Sequence, residues 1–246
     1  MPILGYILIF SFLGSIVSLI GGVLLLTREK FALRASHFLA SFAAGTLLGT
    51  AFLDLLPEAQ EAAEGTGMNI FLWALVGVLI FFLLERFIHH HNDHPNEGRQ
   101  VVPLIVIGDT LHNFIDGVAI AATFLVSIPL GIVTSLAVAA HEIPQEIGDF
   151  GLMLHRGVSS KKVLWINFCS ALASMAGAIL AYINKDQVVG LLPVVLSITS
   201  GFFIYIALAN LIPEIHSRDN QKIAFWETVA LLLGVVVVWF VVKNTL

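Results

Sequence analysis

Charge is what this chain has least of. Only 12% of its 246 residues are Asp, Glu, Lys or Arg, about half the share found in soluble domains. That is too little to clothe the surface of a water-soluble protein. The net charge of −5 is modest and gives no basic excess for a polyanion, so no nucleic-acid partner is expected. There is one cysteine, Cys169. A single thiol excludes a disulfide framework and a cysteine-built metal site. In its apolar run it reads as a small packing residue. The alternating pattern of a membrane barrel is absent. So is a basic stretch ahead of the first apolar run, which therefore reads as a spanning helix rather than a cleaved leader.

What the chain has in excess is long apolar runs. Hydrophobic residues make up 58% and the mean hydropathy is +0.93. The runs recur along the whole length, each near the roughly 20 residues that a bilayer crossing needs. The expected fold is all-α integral membrane, one transmembrane unit over residues 1–246 in contact with lipid. Eight spans are expected, near 3–26, 38–57, 69–88, 102–126, 129–154, 163–183, 189–213 and 223–242. Gly14, Gly21, Gly45, Gly49, Gly77, Gly177 and Gly201 lie within them and suit close helix packing in lipid.

The basic residues orient these spans. Arg28, Lys30, Arg34, Arg86, Arg99, Arg156, Lys161, Lys162, Arg218 and Lys222 fall on one side, and Lys185 and Lys243 on the other. Ten against two is a strong positive-inside bias. Both termini are expected to be non-cytoplasmic, in a cell (inner) membrane.

Residues 41–58 and 197–214 share Ser, Gly, Ala, Leu, Pro and Glu at a constant offset of 156, with Asp54 matching Asn210. These spans cross in opposite directions in the expected topology. The repeat is then inverted, in a 3+2+3 arrangement, and such proteins bind their cargo at mid-membrane between the repeats. Asp54 and Glu58 would flank an outer mouth, and Asn210 and Glu214 an inner one. Glu58, Glu61 and Glu64 would give the outer side an acidic rim that concentrates cations.

Two central spans carry the chemistry. The first reads GDTLHNFIDG over 108–117 and the second AAHEIPQEIGDF over 139–150. Ionisable residues inside a span are costly and mark function by default. His112 and Asp116 are four residues apart and share a helix face, as do His141 and Gln145. Asp109 lies three residues before His112, and Asn113 beside it. Glu142 and Glu146 sit one step round from His141, with Asp149 a turn beyond. A very short connection at 127–129 makes the two spans antiparallel neighbours. With a rise of about 1.5 Å per residue, the two polar sets meet at similar depth. Two imidazoles with carboxylates and amide oxygens form an N/O cage. It suits zinc, iron, manganese or cadmium as cargo better than sodium or magnesium. Pro144 removes a helix bond, should bend its span, and frees the carbonyl of Ala140. Asn167 on the next span is placed to add an oxygen or to bond between helices. The loop 89–100 holds His89, His90, His91 and His94, a cluster able to collect divalent metal loosely as a sensor or sink.

HNFIDG, HEIPQEIGDF, LPE at 56–58 and ANLIPE at 209–214 resemble the ZIP (Zrt/Irt-like protein) family of divalent metal transporters. The eight expected spans, the His-rich third loop and the external termini fit that likeness, which extends over nearly the whole chain. The resemblance implies uptake of zinc or related metals toward the cytoplasm, often by a homodimer, through a binuclear site between spans 4 and 5. By position it implies His112, Asn113, Asp116, His141, Glu142 and Gln145 as ligands, with Asp116 and Glu142 bridging. Gln145 departs from the pattern, where a second His is more usual. A neutral amide is a weaker zinc ligand and predicts a weaker or broader site.

Two other classes remain at this stage. HEIPQ (141–145) nearly matches HExxH, the zinc-protease signature, but Gln145 replaces the second His and Pro144 disturbs the helix. A non-transporting metal receptor is the other. The acidic rim and the His-rich loop weigh against it.

Overall fold

The computed structural model describes residues 2–90, 101–155, 157–213 and 221–245. Every regular element among them is helical. The α-helices run α1 Ile3–Thr50, α2 Leu56–Ala62, α3 Ile70–His90, α4 Val101–Val126, α5 Ile128–His155, α6 Ser160–Ile183, α7 Lys185–Gly190, α8 Leu192–Tyr205 and α9 Gln221–Thr245. Two π-helical segments interrupt them, Ala51–Leu55 before α2 and Ile206–Leu211 after α8.

Five stretches are long and apolar enough to cross a membrane: Ile3–Phe31, Ala35–Ala62, Ser160–Ile183, Leu192–Leu211 and Ile223–Asn244. The chain is thus an all-helical protein with the character of a membrane protein. α4 and α5, which carry the polar motifs, are not among the five.

The connection expected between residues 26 and 38 is a kink rather than a loop. Two helical stretches of α1 meet at Arg28, which alone leaves helical conformation (φ −144°, ψ 60°). Two separate apolar stretches, Ile3–Phe31 and Ala35–Ala62, flank the connection as expected. The stretch holds no Gly or Pro, and Arg, Glu, Lys, Ala and Leu all favour helix. Cys169 also corrects its sequence reading. It is exposed on α6, while Val163, Asn167, Ser170 and Ser174 are the buried face of that helix.

Backbones approach closely where side chains are missing. A Cβ on Gly117 would run into the carbonyl of Ser174, and one on Gly177 into that of Phe114, which draws α6 onto α4. Gly21 and Gly22 seat the first stretch of α1 against Ile143 and Phe150 of α5. A small apolar cluster of Leu25, Ile147, Phe150, Met153 and Val163, with Val102 and Val106, joins these four helices. Elsewhere Gly77 and Gly201 bring α3 and α8 together, and Gly45 and Gly234 bring the later stretch of α1 against α9. Gly14 is the exception among the expected packing glycines, with open space around its Cβ position. The helices thus pack in two groups, α4–α5–α6 with the start of α1, and α3–α8 with α9 and the end of α1. A larger apolar core containing Leu47, Ile120, Phe124, Leu196 and Phe203 spans both groups.

The two π segments occupy equivalent places in the sequence repeat. Adding the offset of 156 to 51–55 gives 207–211, inside the second segment. In each, a backbone N–H reaches five residues back, Leu56 to the Ala51 carbonyl and Ile212 to that of Ala207. A proline follows at once, Pro57 or Pro213, and withholds the next helical donor. Such single-turn bulges recur at functional sites.

Candidate metal centre

One residue, Ser127, separates α4 from α5. Its Oγ accepts the N–H of Leu130 at 3.2 Å, and its carbonyl accepts that of Gly131 at 3.1 Å. This is an N-cap, with Pro129 in the first turn where its missing N–H costs nothing. At the other end of α5, Gly157 takes a positive φ of 79°. The N–H of Val158 bonds the Met153 carbonyl at 3.1 Å and that of Gly157 bonds Leu154 at 2.9 Å, which stops the helix. α4 and α5 are therefore adjacent and antiparallel with fixed ends. α5 runs through Pro144 as a single helix.

This pairing brings His112 and Asp116 of α4 face to face with His141 and Glu142 of α5. All four are buried, none more than 6% exposed. Their donor atoms lie within 4.8 Å of one another. The Nε2 atoms of His112 and His141 are 3.1 Å apart. Asp116 Oδ2 is 3.4 Å from His112 Nε2 and 3.3 Å from His141 Nε2. Glu142 Oε1 is 3.5 Å and 3.8 Å from the same two atoms. A tetrahedral zinc with bonds of about 2.0–2.1 Å separates its donors by about 3.3–3.4 Å. The separations from the two imidazoles to each other and to the two carboxylates, 3.1–3.8 Å, bracket that size. Both Glu142 oxygens and Asp116 Oδ2 are buried without a hydrogen-bond donor, a costly state for acceptors in an apolar interior.

The remaining candidates are placed as follows. Asn113 is buried, and its Nδ2 donates to the backbone carbonyl of Asp109 at 3.1 Å and to Asp109 Oδ1 at 3.0 Å. Gln145 is half-buried on α5. Asp109 and Glu146 are buried, Asp149 half-buried. Asp109 Oδ2 and both Glu146 oxygens lack a hydrogen-bond donor. Asn167 of α6 is 1% exposed, and neither amide atom is hydrogen-bonded. Thr110 and Ser170 tie α4 to α6 nearby, with hydroxyls 3.2 Å apart. Asp54 is buried in the first π segment, with Oδ2 lacking a hydrogen-bond donor. Glu58 is half-buried and Asn210 exposed. Glu61 and Glu64, expected in an acidic rim, are exposed. Glu214, His91 and His94, and the side chains of His89 and His90, lie outside the described residues.

Three features escaped the sequence. Glu227 of α9 is 1% exposed, with both carboxylate oxygens lacking hydrogen bonds. The rule that flags ionisable residues inside spans would have found it. Phe81 lies edge-on to the His112 ring, centroids 5.3 Å apart at 84°. Phe203 lies 6.3 Å from the His141 ring at 62°. Nothing in their apolar runs distinguishes these two rings from lipid-facing neighbours.

The chain is similar to known proteins over most of its length. It is 35% identical to Zinc transporter ZIP13 of Pongo abelii, an alignment covering 81% of this chain and 64% of that protein. Zinc transporter ZIP13 of Mus musculus is 30% identical, with 93% and 79% covered. Zinc transporter ZIP4 of Rattus norvegicus is 28% identical, with 82% and 42% covered. The chain therefore spans about two fifths to four fifths of these relatives, all of them named as transporters and none as an enzyme. The family model described as ZIP Zinc transporter matches residues 4–103 and 92–241. Those two stretches take in most of the sequence, and the chain belongs to the ZIP zinc transporter family.

Proposed function

We propose that this protein carries divalent transition-metal ions across a membrane toward the cytoplasm, zinc first and cadmium, iron and manganese within its range. The observation that carries the reading is the cage of His112, Asp116, His141 and Glu142, whose donor spacings of 3.1–3.8 Å match a tetrahedral ion. Family membership supports the same reading.

Asn113 and Gln145 supply amide oxygens for a second, adjoining ion, with Asp116 and Glu142 bridging. Asp109, Glu146 and Asp149 descend from the cage along α4 and α5 toward the ends that the positive-inside rule places in the cytoplasm. Their carboxylates, with Asn167 of α6, line the route out. Asp54 and Glu58 stand at the entrance, and Asn210 and Glu214 at the exit mouth. The full layout is eight spans in a 3+2+3 inverted repeat with both termini non-cytoplasmic, in a cell membrane, as a homodimer. The matched π segments favour the repeat. Alternating access follows from one packing group moving against the other. His89, His90, His91 and His94 collect metal in the cytoplasmic loop.

The test is metal uptake into proteoliposomes by the purified chain beside a His112→Ala, His141→Ala double variant. Wild-type zinc entry that the variant lacks supports the reading. Equal uptake by both would remove the cage from the pathway. No metal entry with wild type would return the chain to the receptor class.

A further inference from the structure

The two cage histidines are oriented by different parts of the molecule. His141 Nδ1 lies 3.1 Å from the carbonyl of Ala137, one turn back on its own helix. That contact fixes the ring and leaves Nε2 facing the cage, the usual way a ligating imidazole is held. His112 lacks such an anchor. Among the described residues, its one hydrogen-bond contact is made through Nε2, toward His141. Against its ring stand the His141 ring, at 5.3 Å within the cage, and, from outside the cage, Phe81 of α3, edge-on at 5.3 Å.

Phe81 is itself firmly placed. It is 6% exposed, with Phe202 and Tyr205 of α8 each 5.5 Å from its centroid. Those residues belong to the packing group of α3 and α8, held by Gly77 against Ile198 and by Gly201 against Ala74. His112 belongs to the other group. Both cage histidines thus meet an aromatic ring of the opposite group, Phe81 at His112 and Phe203 at His141, but only His141 also has an anchor on its own helix.

We propose that Phe81 is the positioning residue of His112, and that it links the grip on the metal to the relative placement of the two helix groups. This rests on the transport reading above. With the Phe81 ring against His112, all four donors converge. When α3–α8 shifts against α4–α5, His112 loses the Phe81 ring and is left with its contacts inside the cage, while His141 loses Phe203 but keeps the Ala137 carbonyl. The ion is then left on three donors. Release begins at His112.

The experiment compares zinc uptake in proteoliposomes for wild type, Phe81→Leu, Phe81→Tyr and Phe82→Leu. An aromatic edge contact of this kind corresponds to roughly a 2- to 10-fold change in an equilibrium constant. Phe81→Leu is expected to raise the zinc KM by that factor while Vmax is kept or increased. Phe81→Tyr, which retains the ring, restores the wild-type KM. Phe82 is 41% exposed and its ring meets Tyr205 at 6.5 Å rather than His112, so Phe82→Leu leaves both constants unchanged. As a second readout, the visible absorption of cobalt(II) bound to the purified chain weakens in Phe81→Leu. If that variant does not yield folded protein, Phe81→Met fills the space without a ring and is read in the same way. An unchanged KM, a loss confined to Vmax, or a Tyr variant no better than Leu would overturn the proposal while transport itself stands. A wild type that moves no zinc would overturn the transport reading first.

Discussion

His112 and His141 come from different helices, yet their Nε2 atoms lie 3.1 Å apart. Asp116 Oδ2 sits almost equidistant from both, at 3.4 Å and 3.3 Å. A carboxylate oxygen shared in this way is the keystone of the cage.

Replacing Asp116 with Asn keeps the shape and removes the charge. The cage then exchanges its nearest carboxylate for a neutral amide, a weaker ligand for a cation. Changes to groups that only orient metal ligands typically cost 10–100-fold in affinity, and a ligand should cost at least as much. Asp116→Asn is therefore expected to raise the zinc dissociation constant about 100-fold or more, read by equilibrium dialysis of the detergent-purified chain. A change below about 3-fold would argue against Asp116 as a ligand.

Protons compete with metal for imidazole and carboxylate, because only the deprotonated forms bind. Zinc affinity should therefore fall as pH drops from 7.5 to 5. In uptake assays with equal pH on both sides, the apparent KM rises in acid. A flat KM over that interval would contradict a histidine-containing cage.

Gln145 follows His141 by four residues and shares its face of α5. An imidazole there adds a stronger ligand than an amide. Gln145→His should tighten zinc binding and narrow the choice among zinc, cadmium, iron and manganese. Competition assays with the three other metals read this directly, and weaker zinc binding would count against a role for position 145.

Gly117 has no room for a side chain, since its Cβ would meet the Ser174 carbonyl. Gly117→Ala must push α6 away from α4 beside the cage. Overpacking of this kind costs about 1–3 kcal/mol. The expected outcome is a lower melting temperature in detergent. Gly14→Ala, where the space is open, serves as the control and should melt like wild type.

Much of the candidate site's geometry was legible because helices have a fixed period. Four-residue spacing alone put His112 with Asp116 on one face, and the one-residue connection at Ser127 obliged α4 and α5 to be neighbours. Apolar run length determined the helical membrane character, since backbone polar groups in lipid must be satisfied within the segment. The charge pattern placed a break between the first two spans, and the chain makes it as a kink at Arg28 rather than as a loop. Hydropathy does not register whether a polar stretch bends or unwinds. Sequence also did not reveal that the repeat carries a π segment in each copy, because Pro57 and Pro213 announce a lost donor but not how the preceding turn absorbs it.

The tertiary structure decided what no spacing rule reaches. It chose His112, Asp116, His141 and Glu142 as the converging four, turned the Asn113 amide nitrogen to Asp109, and set Phe81 of α3 against His112. Those outcomes depend on how helices distant in sequence rotate and slide as glycines let their backbones meet. The residue types and their faces are local properties written in the chain. The ångström distances between faces exist only once all the helices have packed.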